Sequence, residues 1–403
     1  MPQLIADRPL YRLPSELGKV MAEARAREQA GEHVFHLERG EPDFDTPPHI
    51  VEALAKAARD GETHYPDSRG TMELREALVE KLRRENGVAR EPDDIVMTLG
   101  GTHGLCIAFQ ALLAPGDELL VFAPHWMAIP KLVALAHGSR MRTFSGYLEL
   151  QSGADDPGAL AARLRAALRP ETRGIYVNTP NNPTGVVLSR AALEAIATVA
   201  GERDLWVVSD EAYEHLLFDG TRHVSLASLP GMEERTVSVF TFSKSYAMTG
   251  WRVGYVVSPA PLRPVMGPLL SFYTTHGVFP SVQRAALAAI RGPQDAVETM
   301  RRAYQERRDL LIDGLKGQNA IVVPSPQGSF YAFANVAGAR AGRDIWDLVR
   351  EWLSIGVAVL PGTAFGPEYT DWVRLSLATR REDIVEAART LRDHVRSAVG
   401  ARG

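Results

Sequence analysis

The feature that most constrains the fold is a series of short apolar strands that alternate with helical segments between residues 95 and 257. Strands that are apolar along nearly their whole length are typical of a mostly parallel sheet with helices on both faces. The sequence therefore predicts an α/β fold. The predicted strands cover residues 95–98, 118–122, 174–178, 205–209, 236–240 and 255–257.

The character of the chain changes after about residue 290. Residues 298–316 form a highly charged predicted helix, and shorter predicted strands and helices follow it. This pattern favours a second, smaller unit of the α+β type. We therefore expect a large α/β domain at residues 46–290 and a small α+β domain built from both chain ends, residues 1–45 and 291–403.

Composition limits the possible functional classes. The 403 residues are 45% hydrophobic and 23% charged, with a formal net charge of -4. These values are typical of a soluble globular protein and indicate neither a nucleic-acid nor a membrane partner. The single cysteine, Cys106, excludes an internal disulfide, and the spacing of the histidines predicts no metal site. Since the N-terminal residues do not resemble a secretory signal, the expected location is cytoplasmic.

Four of the predicted strands are each followed, within four residues, by a glycine turn or a polar residue. Ligands of open α/β sheets bind beyond the carboxyl ends of the strands, so these four segments are expected to meet. The sequence therefore predicts one functional site at this edge of the sheet. The segments are Gly100-Gly101-Thr102, Asn181-Asn182-Pro183-Thr184-Gly185, Asp210 and Lys244.

Lys244 lies in a turn that is rich in hydroxyl groups, and Arg252 follows it by eight residues. A lysine amine condenses with an aldehyde. The hydroxyl groups of Thr241 and Ser243 and the guanidinium of Arg252 suit a phosphate. Pyridoxal 5'-phosphate carries both an aldehyde and a phosphate, so this combination indicates that cofactor and amino-acid chemistry.

Further roles follow from that chemistry. Asp210 suits pairing with the pyridine nitrogen, which keeps the ring an electron sink. Asn182 and Tyr213 suit hydrogen bonding to the phenolic oxygen of the cofactor. Arg374 lies inside an otherwise apolar strand, where an arginine is rare without an anion to bind, and it suits the substrate carboxylate. The amine of Lys244, once released, suits proton transfer at the substrate Cα.

With these segments identified, the chain resembles the class I/II aminotransferases of the fold-type I pyridoxal-phosphate superfamily. The resemblance implies a seven-stranded, mostly parallel sheet in the large domain and a homodimer with shared active sites. The matching segments follow the order of the family over nearly the whole chain. They are Gly40-Glu41-Pro42-Asp43-Phe44, Tyr65-Pro66-Asp67-Ser68-Arg69-Gly70, Asn182-Pro183-Thr184-Gly185, Ser209-Asp210-Glu211-Ala212-Tyr213, Ser243-Lys244 and Arg374.

The resemblance also implies roles for individual residues. It makes Lys244, Asp210 and Tyr213 catalytic, with Lys244 forming the Schiff base. Trp126 stacks on the cofactor ring, and Tyr65 reaches the phosphate held by the partner subunit. The implied cofactor-binding residues are Tyr65, Gly101, Thr102, Trp126, Asn182, Asp210, Tyr213, Thr241, Ser243, Lys244 and Arg252. The implied substrate-binding residues are Gly40, Asn182 and Arg374.

Three functions compete at this point. The favoured one is amino transfer from an L-amino acid to a 2-oxo acid through Schiff-base and ping-pong chemistry. A lyase or synthase on the same scaffold, such as one that performs β-elimination or forms 1-aminocyclopropane-carboxylate, needs the same motifs. A cofactor-binding regulator would carry a DNA-binding domain, but the chain begins only about 40 residues before Gly40 and shows no basic helix-turn-helix segment.

The identity of the amino donor stays open. Some aspartate-type relatives carry a lysine in the turn after the first strand, where this chain has Gly101-Thr102-His103. No obvious cation replaces it for a distal carboxylate, which argues against a strict aspartate enzyme. Residues 272–277 are expected near the substrate entrance of the neighbouring subunit. We therefore hypothesise that Tyr273 or His276 contacts the substrate side chain.

Overall fold

The computed structural model describes residues 15–152 and 156–400, and twelve strands form three sheets within these residues. The strands are β1 (Phe35–His36), β2 (Ile95–Thr98), β3 (Glu118–Ala123), β4 (Arg140–Ser145), β5 (Thr172–Asn178), β6 (Trp206–Asp210), β7 (Thr236–Thr241), β8 (Gly254–Val257), β9 (Tyr331–Asn335), β10 (Val357–Ala358), β11 (Leu360–Pro361) and β12 (Trp372–Ser376).

The same residues form fifteen α-helices, with a π-helical turn, Leu82–Asn86, at the end of the third. The helices are α1 (Glu16–Gln29), α2 (Pro48–Arg59), α3 (Met72–Lys81), α4 (Gly101–Leu112), α5 (Ile129–Leu135), α6 (Tyr147–Ser152), α7 (Pro157–Ala167), α8 (Arg190–Glu202), α9 (Phe242–Ser245), α10 (Arg263–Thr274), α11 (Pro280–Arg291), α12 (Asp295–Gly314), α13 (Ala337–Arg340), α14 (Ile345–Ser354) and α15 (Arg381–Gly400). No helix of the described part is long and apolar enough to cross a bilayer.

The largest sheet has seven strands in the order β2-β8-β7-β6-β5-β3-β4. Adjacent strands of this sheet pair in parallel, except that β8 runs antiparallel to both β2 and β7. The register places Asn178 at the end of β5 beside Asp210 at the end of β6. The carboxyl ends of the parallel strands therefore lie at one edge, and the predicted α/β fold with a mostly parallel seven-stranded sheet is confirmed.

Alternate residues of β5 show why this sheet is covered on both faces. Ile175 and Val177 pack in a core that includes Leu193 of α8. Tyr176, between them, points to the opposite face, where its ring lies 5.9 Å from that of Phe109 in α4. Successive strand side chains face opposite sides, so a sheet buried on both faces needs the unbroken apolar strands seen in the sequence.

Both ends of the described chain share one core. Strands β11, β12 and β9 form an antiparallel sheet, and β1 pairs in parallel with β10. Val20 of α1 is buried in the same cluster as Trp352 of α14 and Leu391 of α15. The domain limits at residues 46 and 290 stay a prediction. The ranges proposed for the small domain include residues 1–14 and 401–403, which lie outside the described residues.

Of the seven strands in the large sheet, β4 is the one that the sequence analysis missed. It lies at the edge of the large sheet, paired only with β3, and most of its residues are exposed or half-buried. Its Arg-Met-Arg-Thr-Phe-Ser sequence has no continuous apolar run. Edge strands commonly carry charged residues that discourage pairing with other chains, and that composition hides them from a search for buried strands.

Candidate active site

The predicted site residues converge on one cleft of about 310 Å³ beyond the carboxyl ends of β5, β6 and β7. The convergence follows from the sheet, since each residue continues a strand or belongs to a segment that packs over this edge. Of the predicted residues, Tyr65 does not line the cleft within this chain. Those that do are Gly40, Gly101, Thr102, Trp126, Asn182, Asp210, Tyr213, Thr241, Ser243, Lys244, Arg252 and Arg374.

Lys244 lies in the short helix α9, which begins directly after β7. The Thr241 hydroxyl accepts a hydrogen bond from the backbone N–H of Ser243 at 3.2 Å, which caps this turn. The Lys244 Nζ donates to the backbone oxygen of Gly40 at 2.7 Å. Burial, followed by the positive charge of Arg374, lowers the pKa of Lys244 to about 8. A larger neutral fraction near neutral pH makes this amine a better nucleophile than a solvated lysine.

Asp210 ends β6 and is buried. Its Oδ2 accepts a hydrogen bond from the Tyr176 hydroxyl at 2.9 Å, and its Oδ1 accepts from the backbone N–H of Ala212 at 3.3 Å. Both donors are neutral, and burial raises the pKa of Asp210 to about 6. A cationic ring nitrogen beside this carboxyl group would supply the missing opposite charge, as the predicted cofactor requires.

The other end of the cleft suits an anion. Helix α4 begins at Gly101, so the backbone N–H groups of Gly101 and Thr102 are free of helical partners. Arg252 donates to the carbonyl oxygens of Thr249 at 2.7 Å and Leu99 at 3.0 Å, which are neutral acceptors. A guanidinium beside a helix N-terminus therefore fits the phosphate of the predicted cofactor.

Gly100 shows how closely this anion site is built. Its φ is +83°, in the left-handed region that favours glycine, and a Cβ there would lie 2.7 Å from Nη2 of Arg252. Any larger residue would displace the guanidinium. The Thr241 hydroxyl donates to that of Ser243 at 2.9 Å, so two hydroxyl groups also lie together at this end of the cleft.

Arg374 is 2% exposed, and its described contacts leave its charge without an anion. Nη1 donates to Oδ1 of Asn182 at 3.2 Å, Nη2 donates to the backbone oxygen of Glu38 at 2.6 Å, and Nε has no partner. Burial lowers its pKa. The charge of Glu38 acts on Arg374 only from a distance, and no described carboxylate accepts a hydrogen bond from the guanidinium. A substrate carboxylate would therefore complete this environment.

Gly40 leaves the space that such a carboxylate needs. A Cβ at position 40 would lie 3.0 Å from the Tyr331 hydroxyl and 4.0 Å from Nη2 of Arg374. The backbone oxygen of Gly40 accepts from Lys244, and that of Glu38 accepts from Arg374, so the segment 38–40 contacts both the amine and the guanidinium. The close approach explains a glycine here without any requirement for unusual backbone angles.

Three residues predicted to act across subunits lie outside the cleft. Tyr65 is 77% exposed, and its ring stacks on that of His276 at a centroid distance of 4.1 Å. Tyr273 is also exposed and donates its hydroxyl to Oε1 of Gln110 at 2.5 Å. One chain alone therefore does not bring Tyr65, Tyr273 or His276 to the other site residues.

Sequence reasoning missed several residues that line the cleft, among them Leu17, Met127 and Tyr331. Leu17 and Met127 belong to segments that showed no chemical motif. Tyr331 is 1% exposed and begins an apolar strand, so its sequence context is that of a core residue. The pairing of β9 with β12, which no local pattern encodes, places it near Arg374.

Comparisons with known proteins identify the family and the fold. The family model for aminotransferase class I and II matches residues 32–391. The chain is similar to the aspartate/prephenate aminotransferase of Thermus thermophilus, with 40% identity over 93% of this chain and 94% of that protein. It is 38% identical to an arginine–pyruvate transaminase of Pseudomonas aeruginosa, over 91% of each. A structure of Thermus thermophilus aspartate aminotransferase with maleate superposes with a TM-score of 0.88 and 37% identity, covering 97% of this chain and 100% of that one.

Proposed function

The chain belongs to the class I and II aminotransferase family, and on that premise we propose how its own residues bind cofactor and substrate. The enzyme is a pyridoxal-phosphate-dependent aminotransferase that moves an amino group from an L-amino acid to a 2-oxo acid. The relatives favour this activity over the lyase alternative. One observation carries the residue assignments: a half-buried amine, Lys244, shares the cleft with a buried carboxyl group and two guanidinium groups that contact only neutral acceptors.

The cofactor is proposed to lie between Asp210 and Arg252. When bound, pyridoxal 5'-phosphate supplies the carbonyl carbon that takes the amino group and a ring that withdraws electrons from it. Asp210 holds the ring nitrogen through its carboxyl group, and Asn182 and Tyr213 bind the phenolic oxygen. Trp126 covers a ring face. The phosphate is bound by Gly101, Thr102, Thr241, Ser243 and Arg252, with Tyr65 from the partner subunit.

Lys244 and Arg374 act on the substrate. Arg374 is proposed to hold the α-carboxylate with Nε and Nη atoms, beside the space left by Gly40, and Asn182 supports the guanidinium at 3.2 Å. The Lys244 amine is proposed to take and return the proton at the substrate Cα. Its pKa of about 8 suits that work, because an acid–base group is most effective when its pKa lies near the working pH.

The amino donor and the transferase activity are both tested by one experiment. Single amino acids are added to cofactor-loaded enzyme without a 2-oxo acid, and absorbance, 2-oxo acid and ammonia are followed. A donor is expected to bleach the bound chromophore and to release one equivalent of 2-oxo acid without ammonia. Ammonia release would instead favour a lyase. The panel includes aspartate and uncharged amino acids, because the cations among the described lining residues are Lys244, Arg252 and Arg374.

Cofactor loading is expected to depend on pH. The neutral Lys244 amine attacks the carbonyl, and its pKa is about 8. The loading rate is therefore expected to rise about tenfold per pH unit below that pKa and to level off above it. Stopped-flow absorbance of cofactor-free enzyme mixed with pyridoxal 5'-phosphate measures this. A rate independent of pH between 6 and about 8 would contradict the assigned amine.

A homodimer is proposed from one exposed aromatic patch, which we define as Tyr65, Phe272, Tyr273 and Phe279. Phe272 is 84% exposed, and the other three are exposed as well. Phe272 contacts Tyr273, and Tyr65 contacts the segment that follows them through His276. Exposed large aromatic side chains in such number are typical of an interface. A second copy would cover them and bring Tyr65 to the neighbouring phosphate site. The cytoplasmic location stays a proposal from the sequence, which fractionation of the native host would test.

Replacing Phe272 with glutamate is expected to convert the dimer to monomers. An interface would bury the new carboxylate without a partner, whereas Phe272 is so exposed in one chain that folding should be unaffected. The matched control is Val322→Glu, because Val322 is 54% exposed and does not belong to the aromatic patch. Sedimentation velocity with an activity assay measures both. Two results would contradict the shared-site dimer. One is a native enzyme that sediments as a fully active monomer, and the other is a Phe272→Glu variant that still sediments as a dimer.

A further inference from the structure

Tyr331 is a cleft residue that none of the assigned roles uses. It begins β9 and is 1% exposed. In the pairing of β9 with β12, Tyr331 lies opposite Ser376 and Phe333 lies opposite Arg374. Tyr331 and Arg374 are therefore diagonal neighbours on the same face of this small sheet, where long side chains reach each other.

The ring of Tyr331 lies against the proposed carboxylate clamp. The guanidinium carbon of Arg374 is 4.2 Å from the ring centroid, which is the distance of a cation–π contact. Removed from water, such a contact fixes the plane of the guanidinium and places its positive charge next to the phenol. Tyr331 thus has a contact with Arg374 that is independent of the Asn182 hydrogen bond.

Tyr331 also lines the cleft. A Cβ at Gly40 would lie 3.0 Å from its hydroxyl, so this hydroxyl borders the substrate segment. The rings of Tyr331 and Tyr213 are 6.0 Å apart at 78°, and both line the cleft. Burial raises the pKa of both phenols, and the interaction between them raises the pKa of Tyr213 further while opposing the rise at Tyr331.

We propose that Tyr331 is a positioning residue that connects the carboxylate-binding guanidinium of Arg374 to the phenol of Tyr213. The proposal rests on the function assigned to Arg374 and Tyr213. A phenol donates one hydrogen bond and accepts up to two. Once Tyr213 donates to the phenolic oxygen of the cofactor, its own oxygen is free to accept from Tyr331. The hydroxyl groups then form a chain that begins beside a positive charge and ends at the cofactor.

The direction in which this chain of hydroxyl groups shifts the pKa of the cofactor can be predicted. The nearby Arg374 charge strengthens Tyr331 as a donor, and hydrogen bonds in series polarise each other. Donation to the cofactor oxygen stabilises negative charge there, which favours the deprotonated form of the bound chromophore. A carboxylate that neutralises Arg374 weakens the chain and so raises the pH at which the chromophore loses its proton. Tyr331 therefore couples occupancy of the carboxylate site to the pH at which the chromophore loses its proton.

The test is a spectrophotometric pH titration of the loaded enzyme, with and without a carboxylic acid that has no amino group. Tyr331→Phe keeps the ring on Arg374 and removes the hydroxyl. We expect its titration midpoint to rise by about half to one pH unit, the size of one hydrogen bond. The shift caused by the carboxylic acid is expected to fall to about half, because the contact of Asn182 with Arg374 remains. Affinity for the acid should change little.

Tyr304→Phe is the matched control. Tyr304 is buried in the same aromatic cluster, with its ring 5.4 Å from that of Phe330, and its hydroxyl contacts Asp43 at 3.4 Å instead of Tyr213. Its titration is expected to match the native enzyme. A Tyr331→Phe enzyme with the native midpoint and the native carboxylate shift would overturn the proposal. Failure of the native chain to acquire the chromophore would instead overturn the assigned cofactor site, so the two failures are distinguishable.

Discussion

Replacing Lys244 with methionine is expected to reduce amino transfer by about four orders of magnitude or more, because one change removes both the covalent attachment and the proton carrier. Methionine fills a similar space without an amine. Borohydride reduction followed by peptide mass spectrometry is expected to find the cofactor on residue 244 of the native enzyme and on no residue of the variant. Lys316→Met is the matched control, since Lys316 is an exposed lysine that pairs with Asp313.

Stability separates this loss of activity from a folding defect. In the cofactor-free protein, burial lowers the pKa of Lys244 from 10.5 to about 8. Below the folded pKa the charged amine therefore destabilises the folded state, and this cost disappears only as pH rises above the unfolded pKa. Methionine removes the cost, so cofactor-free Lys244→Met is expected to melt no lower than the native chain at pH 7. A native rate in this variant, or an adduct on another lysine, would contradict the assignment.

A site residue could be predicted from the sequence when the pattern that identifies it lies within a short stretch of the chain. Asp210 was found because it directly follows an apolar strand, and Lys244 because it lies in a hydroxyl-rich turn shortly after another such strand, with Arg252 eight residues later. Both signals lie within about ten residues. Arg374 was found because an arginine contrasts with the apolar strand around it. The structure brings all three to one cleft. Asp210 and Lys244 lie at the carboxyl ends of the parallel strands β6 and β7, whereas Arg374 comes from the antiparallel strand β12 of the smaller sheet.

What the sequence did not predict depends on pairing or on a second chain. The proximity of Tyr331 to Arg374 requires the β9–β12 register, which links residues that are far apart in the chain. Strand β4 was missed because an edge strand needs no apolar run. The role predicted for Tyr65 needs a partner subunit, because within one chain its side chain is exposed and its ring contacts only that of His276 among the described aromatic rings.

Replacing Arg374 with lysine is expected to lower kcat/KM for the amino-acid donor by about 10²- to 10³-fold, since a single ammonium cannot reproduce two charge-assisted hydrogen bonds to a carboxylate. The loss should depend on the substrate. For the corresponding amine, which lacks the carboxylate, the native enzyme and the variant are expected to differ by only a few-fold. Steady-state or single-turnover rates for both substrates form a cycle that isolates the interaction between Arg374 and the carboxylate.

Arg75→Lys is the matched control, because Arg75 is a buried arginine outside the cleft that pairs with Asp93 at 3.0 Å. The two variants are expected to behave in opposite ways. Loss of the Arg75 pairing geometry should lower the melting temperature and leave kcat/KM nearly unchanged, since that guanidinium already has its anion within the fold. Arg374 acquires its anion only from the substrate, so its replacement should change kcat/KM much more than stability. Equal losses on the amino acid and on the amine would place the carboxylate contact elsewhere in the cleft.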